Sequence, residues 1–536
     1  MLSRTTILMS LFSMTAFADT VIPQSGANPI VFDQTAQTDN LVFLMAGGAE
    51  HNSGLAAGDY GPLKHMWITN FDDNVNDYFK WNISLPTGAN YRVWALLNSG
   101  VAVPLRLSVE GQTATLDFTT RTIGWDKLDA GVINIPAGTH ILKLVRNSGI
   151  AGSMQIKSLE LLRESDRPAY EKRVADFKRH PSWFSNSKYG LMLQFGPWGY
   201  PKTGPRKSLQ DFANGFDVNK LVTTVQATGA SYVIWSITWA EFLIIAPLRS
   251  VDSLSGVSSY TTTRDVLGEI ATALRSKGIR LFFYYNPKFP GVYEQNWPPD
   301  FHLTGIGDRT RLFDTFIAVI GEIGTRYGTG FDGWFIDNGC NFYPGPFERL
   351  AAAARKGNPD RLISWNAWVA CRFTEFQDVS MGEGYHGETQ FGSSPVGGNG
   401  VFTDGPQKGL AGHGMFVMGD DWGIRNADQP INTRVTLSQS QTWVRNASAR
   451  GVPLSFDMQM WEDQTTAQAT MDVMTGLKSA FPVAIRNYTG KMAPIPQAPE
   501  AYLLFNAKGA RMSRKSKGRA VGIEVKPSVA GHPILP

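Results

Sequence analysis

The chain has 536 residues, 43% hydrophobic and 18% charged, with 54 glycines and 30 prolines. That is enough apolar material for two or three domains with cores of their own, and it excludes a disordered or fibrous chain. The net charge of +4 is too mild to mark a nucleic-acid binder, and much of the excess lies in one tail run, Lys508 to Arg519, that reads as a solvated extension.

Residues 1–18 read as a secretory signal, with Arg4 as the charged start, Thr6 to Ala16 as a short apolar core and Ala16-Phe17-Ala18 as the cleavage site. The mature chain is then expected to begin near Asp19, in a secreted or periplasmic setting. The apolar run is well below the ~20 residues that a membrane span needs, and no later segment reaches that length. Export implies an oxidising compartment, yet there are only two cysteines, Cys340 and Cys371, both after predicted strands. One disulfide and two buried thiols are equally compatible with that spacing.

Residues 19–163 are dense in short alternating segments separated by Gly, Pro, Asn and Asp, which predicts an all-β sandwich. Tyr91 to Leu97, Leu105 to Val109, Ala114 to Phe118, Gly131 to Ile135 and His140 to Val145 read as strands, with a hairpin turn at Val109 to Gln112. Through the Tyr91 to Leu96 strand, Gly124-Trp125-Asp126 and the turn from Ile135 to His140, this region resembles the jelly-roll carbohydrate-binding modules appended to many glycosidases. The resemblance makes Trp67, Trp81 and Trp125 candidates for stacking on sugar faces, against the ordinary expectation that any one tryptophan is core, and a purely structural domain is the alternative.

Residues 164–185 read as a linker and a helix, and residues 186–485 as a (β/α)8 TIM-like barrel. Tyr189 to Gly196 is a continuous apolar run, as expected of a parallel strand buried on both faces. Asp217 then caps a helix that stops at Gly229, and Ser231 to Ile237 is a second strand. A helix over Thr263 to Ser276, a strand over Ile279 to Tyr285, a helix over Leu312 to Tyr327 and a strand from Phe331 to Asp337 continue the rhythm. Arg361 to Asn366, Phe376 to Gly382, Gly414 to Gly419 and Gly451 to Asp457 complete eight strands, and Ala467 to Phe481 is a closing helix. The Gly- and Pro-rich stretch Thr389 to His413 has no period and reads as a long loop at the site, and residues 486–536 as a C-terminal extension.

The stretch that carries chemistry is Phe331-Asp332-Gly333-Trp334-Phe335-Ile336-Asp337-Asn338-Gly339, a short buried strand ending in a carboxylate and a turn. In a (β/α)8 barrel that end faces the active site. Taken alone, Asp337 could as well cap the following turn. Asp332 to Asp337, however, resembles the D-x-x-W-F-D segment of the α-L-fucosidases of glycoside hydrolase family 29, and other segments between about residues 170 and 480 match in the same order. They include Arg264 to Glu269, Tyr284-Tyr285 and Gly419-Asp420-Asp421-Trp422-Gly423. The resemblance implies that Asp337 is the nucleophile of a retaining glycosidase, in which a second carboxyl protonates the leaving oxygen and later activates water.

That second group drifts in position within the family and is not carried by a motif. Glu375, Glu383, Glu388, Asp420 and Asp421 are the candidates, and Glu383 is preferred because Gly382 and Gly384 flank it just past a predicted strand. Two departures bear on the sugar. Gln194 stands where a sugar-binding His is usual, and Thr238-Trp239-Ala240-Glu241-Phe242 replaces a His-His-Asp-Gly-Phe segment, so three imidazoles are absent. Gln194 and Glu241 can still bond hydroxyls, with an altered pattern. Trp198, Trp239, Tyr285, Asn338, Asn366 and Trp422 complete the expected substrate-binding set.

No phosphate-binding loop, metal cluster or nucleophile elbow is apparent, so neither cofactor nor metal is expected. The expected partner is an oligosaccharide or polysaccharide, not nucleic acid or a membrane. The expected activity is hydrolysis of a terminal α-linked fucose or related sugar. A glycosidase of the same fold acting on another sugar, or a barrel that binds glycan without cleaving it, stays open.

Overall fold

The computed structural model describes residues 30–31, 41–52, 56–60, 63–71, 76–121, 124–147, 152, 154–257, 259–289, 310–366, 372–381 and 396–482. The predicted signal, Cys371, Glu383, Glu388 and the C-terminal extension lie outside these residues, and for Cys340 the side chain does too.

The N-terminal part folds into two six-stranded sheets, mainly antiparallel. One is centred on Tyr78–Leu85 and Gly138–Arg146, the other on Ala89–Ser99 and Met154–Arg163. In Tyr78–Leu85 every second residue is buried, the period expected of a half-covered strand. Phe79, Trp81, Ile83, Leu142 and Leu144 of the first sheet share one cluster with Val93, Ala95, Leu97 and Leu159 of the second. The hairpin expected after Val109 is present. Gly111 takes a φ of +73°, which its missing Cβ permits, and Val109 N–H donates to the Ala114 carbonyl at 3.1 Å.

The second part is an eight-stranded parallel sheet curled into a nearly closed barrel. Its strands are β1 Tyr189–Leu193, β2 Tyr232–Ser236, β3 Arg280–Tyr285, β4 Gly333–Ile336, β5 Leu362–Trp365, β6 Val379–Met381, β7 Ala411–Val417 and β8 Leu454–Asp457. They run in the spatial order β5-β4-β3-β2-β1-β8-β7-β6. β1, β2, β4, β5, β7 and β8 are buried at every residue; β1 and β4 read as unbroken apolar runs, while Ser236, Ser364, His413, Ser455 and Asp457 are buried polar residues of the others. Outward residues such as Leu191, Trp235, Phe283, Trp334, Ile363 and Phe456 pack against the surrounding helices. Inward residues such as Met192, Ile234, Phe282, Phe335, Leu362 and Met415 fill the interior. Gly333 leaves room for this filling, since a Cβ there would lie 2.1 Å from the Phe282 ring.

Helices alternate with most strands. Val218–Thr228 follows β1, opened by the Asp217 side chain accepting from Lys220 N–H and closed by Gly229 at φ +74°. Thr310–Tyr327 connects β3 to β4, Phe347–Ala354 connects β4 to β5, and Leu437–Ser448 connects β7 to β8.

The sheets dock on the barrel through Leu41, Met45, Trp67, Leu96 and Leu162, which belong to the same cluster as the barrel's outer face. At this junction Lys127 and Glu160 form an ion pair at 2.5 Å with both side chains almost fully buried, and the Tyr343 hydroxyl donates to Glu160 at 2.8 Å.

Candidate active site

Asp337 is the residue after β4 and is 8% exposed. Its backbone N–H continues the ladder by donating to the Tyr285 carbonyl at 2.9 Å, which fixes the position of Cα. Three side chains donate to the carboxylate. The Tyr284 hydroxyl and Asn286 Nδ2 reach Oδ2 at 2.5 and 3.2 Å, and Asn366 Nδ2 reaches Oδ1 at 2.9 Å. These donors come from the carboxyl ends of β3 and β5, the two neighbours of β4, so one feature of topology assembles the cradle.

The donors are themselves held. The Asn286 backbone N–H donates to Thr238 Oγ1 at 3.0 Å, the Thr238 hydroxyl lies 2.8 Å from the Asn286 carbonyl, and Asn338 Nδ2 donates to Asn286 Oδ1 at 3.2 Å. Asn338 takes a φ of +52°, a conformation Asn tolerates better than most residues. Gly339 then lets the chain pass close to β5, where a Cβ would lie 2.8 Å from that of Trp365. Asn338 and Asn366, expected as hydroxyl ligands, thus act in this structure on Asn286 and Asp337.

The neighbouring tyrosine corrects an expectation. Tyr285, read as facing the pocket, points outward and packs edge-on against Phe242 and Phe316 at 6.0 Å. Tyr284 is the inward residue, stacked on Phe335 at 5.3 Å. Burial first, and the Asp337 charge second, push its hydroxyl well above the ordinary tyrosine range, so it remains a donor.

Gln194, just past β1, is 6% exposed. Its Oε1 accepts from the Ser236 hydroxyl at 2.5 Å, and it is among the groups that work to lower the Tyr284 pKa. The residue that replaces the expected imidazole therefore holds Ser236 beside the tyrosine that donates to Asp337.

Three tryptophans gather at the same end of the barrel. Trp198 and Trp239 are buried and Trp422 is half-buried, all against the interior cluster. Trp239 lies on Gly423, where a Cβ would approach its ring to 2.6 Å, and the Arg425 guanidinium covers it at 4.4 Å. Glu241 is half-exposed and paired with Arg206, whose Nη1 also donates to the Trp198 carbonyl at 3.2 Å. It ties two loops together away from Asp337's cradle.

The described alternatives for the acid/base are engaged elsewhere. Asp420 bonds Asn432 and Arg434, and Asp421 pairs with Arg425 at 2.7 Å. Burial alone would raise the Glu375 carboxyl, but Arg372, Lys127 and Lys178 together hold it below the usual carboxylate range, which is wrong for a proton donor.

The sugar-stacking expectation for the N-terminal tryptophans does not fit their positions. Trp81 is fully buried and donates to the Met45 carbonyl at 2.9 Å. Trp67 and Trp125 meet edge to face at 5.4 Å against the barrel-side cluster. Trp81 and Trp67 are thus core residues, and Trp125 is partly buried against the same cluster.

Tyr284, Asn286 and Ser236 are not among the site residues expected from sequence. The signal for these is strand parity. If Asp337 faces inward then so does Phe335, and Phe335 pairs with Tyr284, which pairs with Ser236.

The sequence matches no protein-family model and no curated protein. Solved structures similar to the chain include the α-L-fucosidase AlfC from Lactobacillus casei in complex with α-L-fucose product, at 18% identity and a TM-score of 0.41, over 58% of this chain and 98% of that one. A bacterial fucosidase with a monovalent iminocyclitol inhibitor gives 14% identity and 0.41, over 56% and 75% of the two chains. The endo-fucoidan hydrolase MfFcnA4 from glycoside hydrolase family 107 gives 15% and 0.43, over 56% and 54%. At TM-scores this low the likenesses carry no argument about chemistry, which rests on the side chains.

Proposed function

We propose that the chain is a secreted retaining exo-glycosidase that removes a terminal α-linked sugar, fucose or a related deoxy or modified sugar, from a glycan. The observation that carries this reading is the Asp337 carboxylate, nearly buried at the mouth of the barrel and held by Tyr284, Asn286 and Asn366. A capping aspartate would spend its oxygens on the backbone N–H groups of the following turn. Asp337 receives side-chain donors from both neighbouring strands, an arrangement that fixes the orientation of an attacking oxygen before substrate arrives.

In the proposed reaction an Asp337 oxygen attacks the anomeric carbon as the bond to the leaving oxygen breaks. Glu383, which follows the carboxyl end of β6 in sequence, gives that oxygen a proton. The same group then takes a proton from water as water displaces Asp337 from the glycosyl ester. The donors on Asp337 stabilise it as a carboxylate both before attack and as it leaves.

The reading is tested by release of chromophore from aryl α- and β-glycosides, wild type beside Asp337→Asn. Turnover of an α-glycoside that the variant loses supports it; no turnover alongside glycan binding that survives in Asp337→Asn favours a binding barrel and defeats it.

A further inference from the structure

Asp457 ends β8, and the mechanism above does not use it. Its neighbour Phe456 faces outward into the helix-side core, so Asp457 faces the barrel interior. It is fully buried. The Gln194 backbone N–H lies toward it, yet neither carboxyl oxygen meets hydrogen-bonding geometry with any described donor. A carboxyl buried without partners is costly, and within a fold it ordinarily signals a missing ligand or a role.

Its place in the barrel says which. β8 and β4 are four positions apart in a ring of eight strands, hence opposite each other. The register runs Asp457 to Met192, Met192 to Ile234, Ile234 to Phe282 and Phe282 to Gly333. With the shear of about eight residues usual in such barrels, half a circuit corresponds to about four residues along a strand. The residue on β4 level with Asp457 is then not Gly333 but Asp337. On that count the two residues stand on opposite walls of the barrel at about the same height.

We propose that Asp457 is a substrate-binding group of the same subsite, accepting hydrogen bonds from ring hydroxyls on the side of the sugar away from the anomeric carbon. This rests on the glycosidase reading of Asp337. A ring whose anomeric carbon meets Asp337 directs its far hydroxyls to the opposite wall, where two unpaired carboxyl oxygens can take two neighbouring hydroxyls. The leaving oxygen of an exo-acting enzyme points toward solvent, whereas Asp457 is fully buried, so its partner is a hydroxyl and not the glycosidic oxygen. Burial, offset in part by the Gln194 N–H and reinforced by the Asp421 charge, pushes the carboxyl well above its usual range, a cost that hydroxyl donors from a bound ring would relieve. Asp457 would thereby supply part of the hydroxyl recognition that the absent imidazoles leave open.

The test uses the full chain and the variants Asp457→Leu and Asp457→Asn. Melting is measured with and without free monosaccharides, L-fucose first, and KM and kcat on any aryl glycoside the wild type cleaves. Asp457→Leu removes a buried unpaired carboxyl, so it should melt no lower than wild type while KM rises about 10- to 100-fold, the scale of hydrogen bonds to a charged or strongly polarised group. The sugar-induced rise in melting temperature should vanish with it. If the leucine variant fails to fold, the near-isosteric Asp457→Asn carries the same expectation in KM. Unchanged KM and an unchanged sugar-induced shift overturn the inference. So does unchanged KM with kcat lost only on poor leaving groups, which would make Asp457 the acid. If the wild type cleaves nothing, the reaction reading has failed and the sugar-induced shift alone decides. A wild-type shift lost in Asp457→Asn sustains the subsite, and no shift with any monosaccharide ends it.

Discussion

Replacing Tyr284 by Phe deletes one oxygen and little else. The ring keeps its stack on Phe335 at 5.3 Å, while Asp337 loses the donor that reaches Oδ2 at 2.5 Å and keeps Asn286 and Asn366. A hydrogen bond to an ionised group is worth about 1.5–3 kcal/mol. If that donor acts on the carboxylate as it forms and leaves the glycosyl ester, kcat/KM should fall about 10- to 150-fold, with most of the loss in kcat. Because burial and the Asp337 charge keep the Tyr284 hydroxyl protonated, the loss should be of similar size at mildly acidic and mildly alkaline pH. The assay is steady-state hydrolysis of whichever aryl glycoside the wild type cleaves, with melting temperature as the control for folding. Tyr285→Phe is the internal comparison. Its hydroxyl is on the outward face, so activity should stay within about twofold. A neutral Tyr284→Phe, or a Tyr285→Phe that is the damaging one of the pair, would refute the assignment of which tyrosine serves Asp337.

Three further outcomes concern the fold that holds the site. Lys127→Met leaves Glu160 charged and buried at the junction of sheets and barrel, and should lower stability by about 3–5 kcal/mol in chemical denaturation. The double variant Lys127→Met with Glu160→Leu should recover much of that. Gly333→Ala brings a Cβ to 2.1 Å from the Phe282 ring, and should cost about 1–3 kcal/mol in the same measurement. His413, fully enclosed in the barrel beside Tyr232, Phe184 and Ser455, is held neutral by burial with its pKa lowered to about 3. Against about 6.5 in the unfolded chain, its contribution is complete above that pH and is lost as pH falls toward about 3, so His413→Met should flatten the acid limb of a stability–pH curve.

Much of this fold is legible in the chain, for a physical reason. Strands buried on both faces are mostly apolar, so Tyr189 to Leu193, Tyr232 to Trp235 and Gly333 to Ile336 stand out as unbroken runs. The same property hides direction. Without alternation nothing in Leu281-Phe282-Phe283-Tyr284-Tyr285 says which tyrosine turns inward, and the choice of Tyr285 went the wrong way. Parity counted back from Asp337 would have corrected it. Strand identity at the N-terminus was partly missed too, since Tyr78–Leu85 and Met154–Arg163 sit at the centre of their sheets and were not among the expected strands. Asp457 reads as the last residue of a strand, but the role proposed for it depends on which strand lies opposite, and that is fixed only by closure of the ring. Trp67 and Trp125 show the complementary limit. Composition marks an aromatic as able to stack on a sugar, and only the docking of the sheets on the barrel shows that these two pack on each other and on the barrel-side cluster.

The central claim is that Asp337 forms a covalent bond to the sugar. The most direct measurement is to incubate the full chain with a 2-deoxy-2-fluoro glycosyl fluoride of the sugar it cleaves, then weigh the intact protein and map the modified peptide. The account predicts one added glycosyl group per chain, carried by the peptide that contains Asp337 and absent in Asp337→Asn. A label on another carboxylate, or turnover that gives the inverted anomer with no adduct, would contradict it.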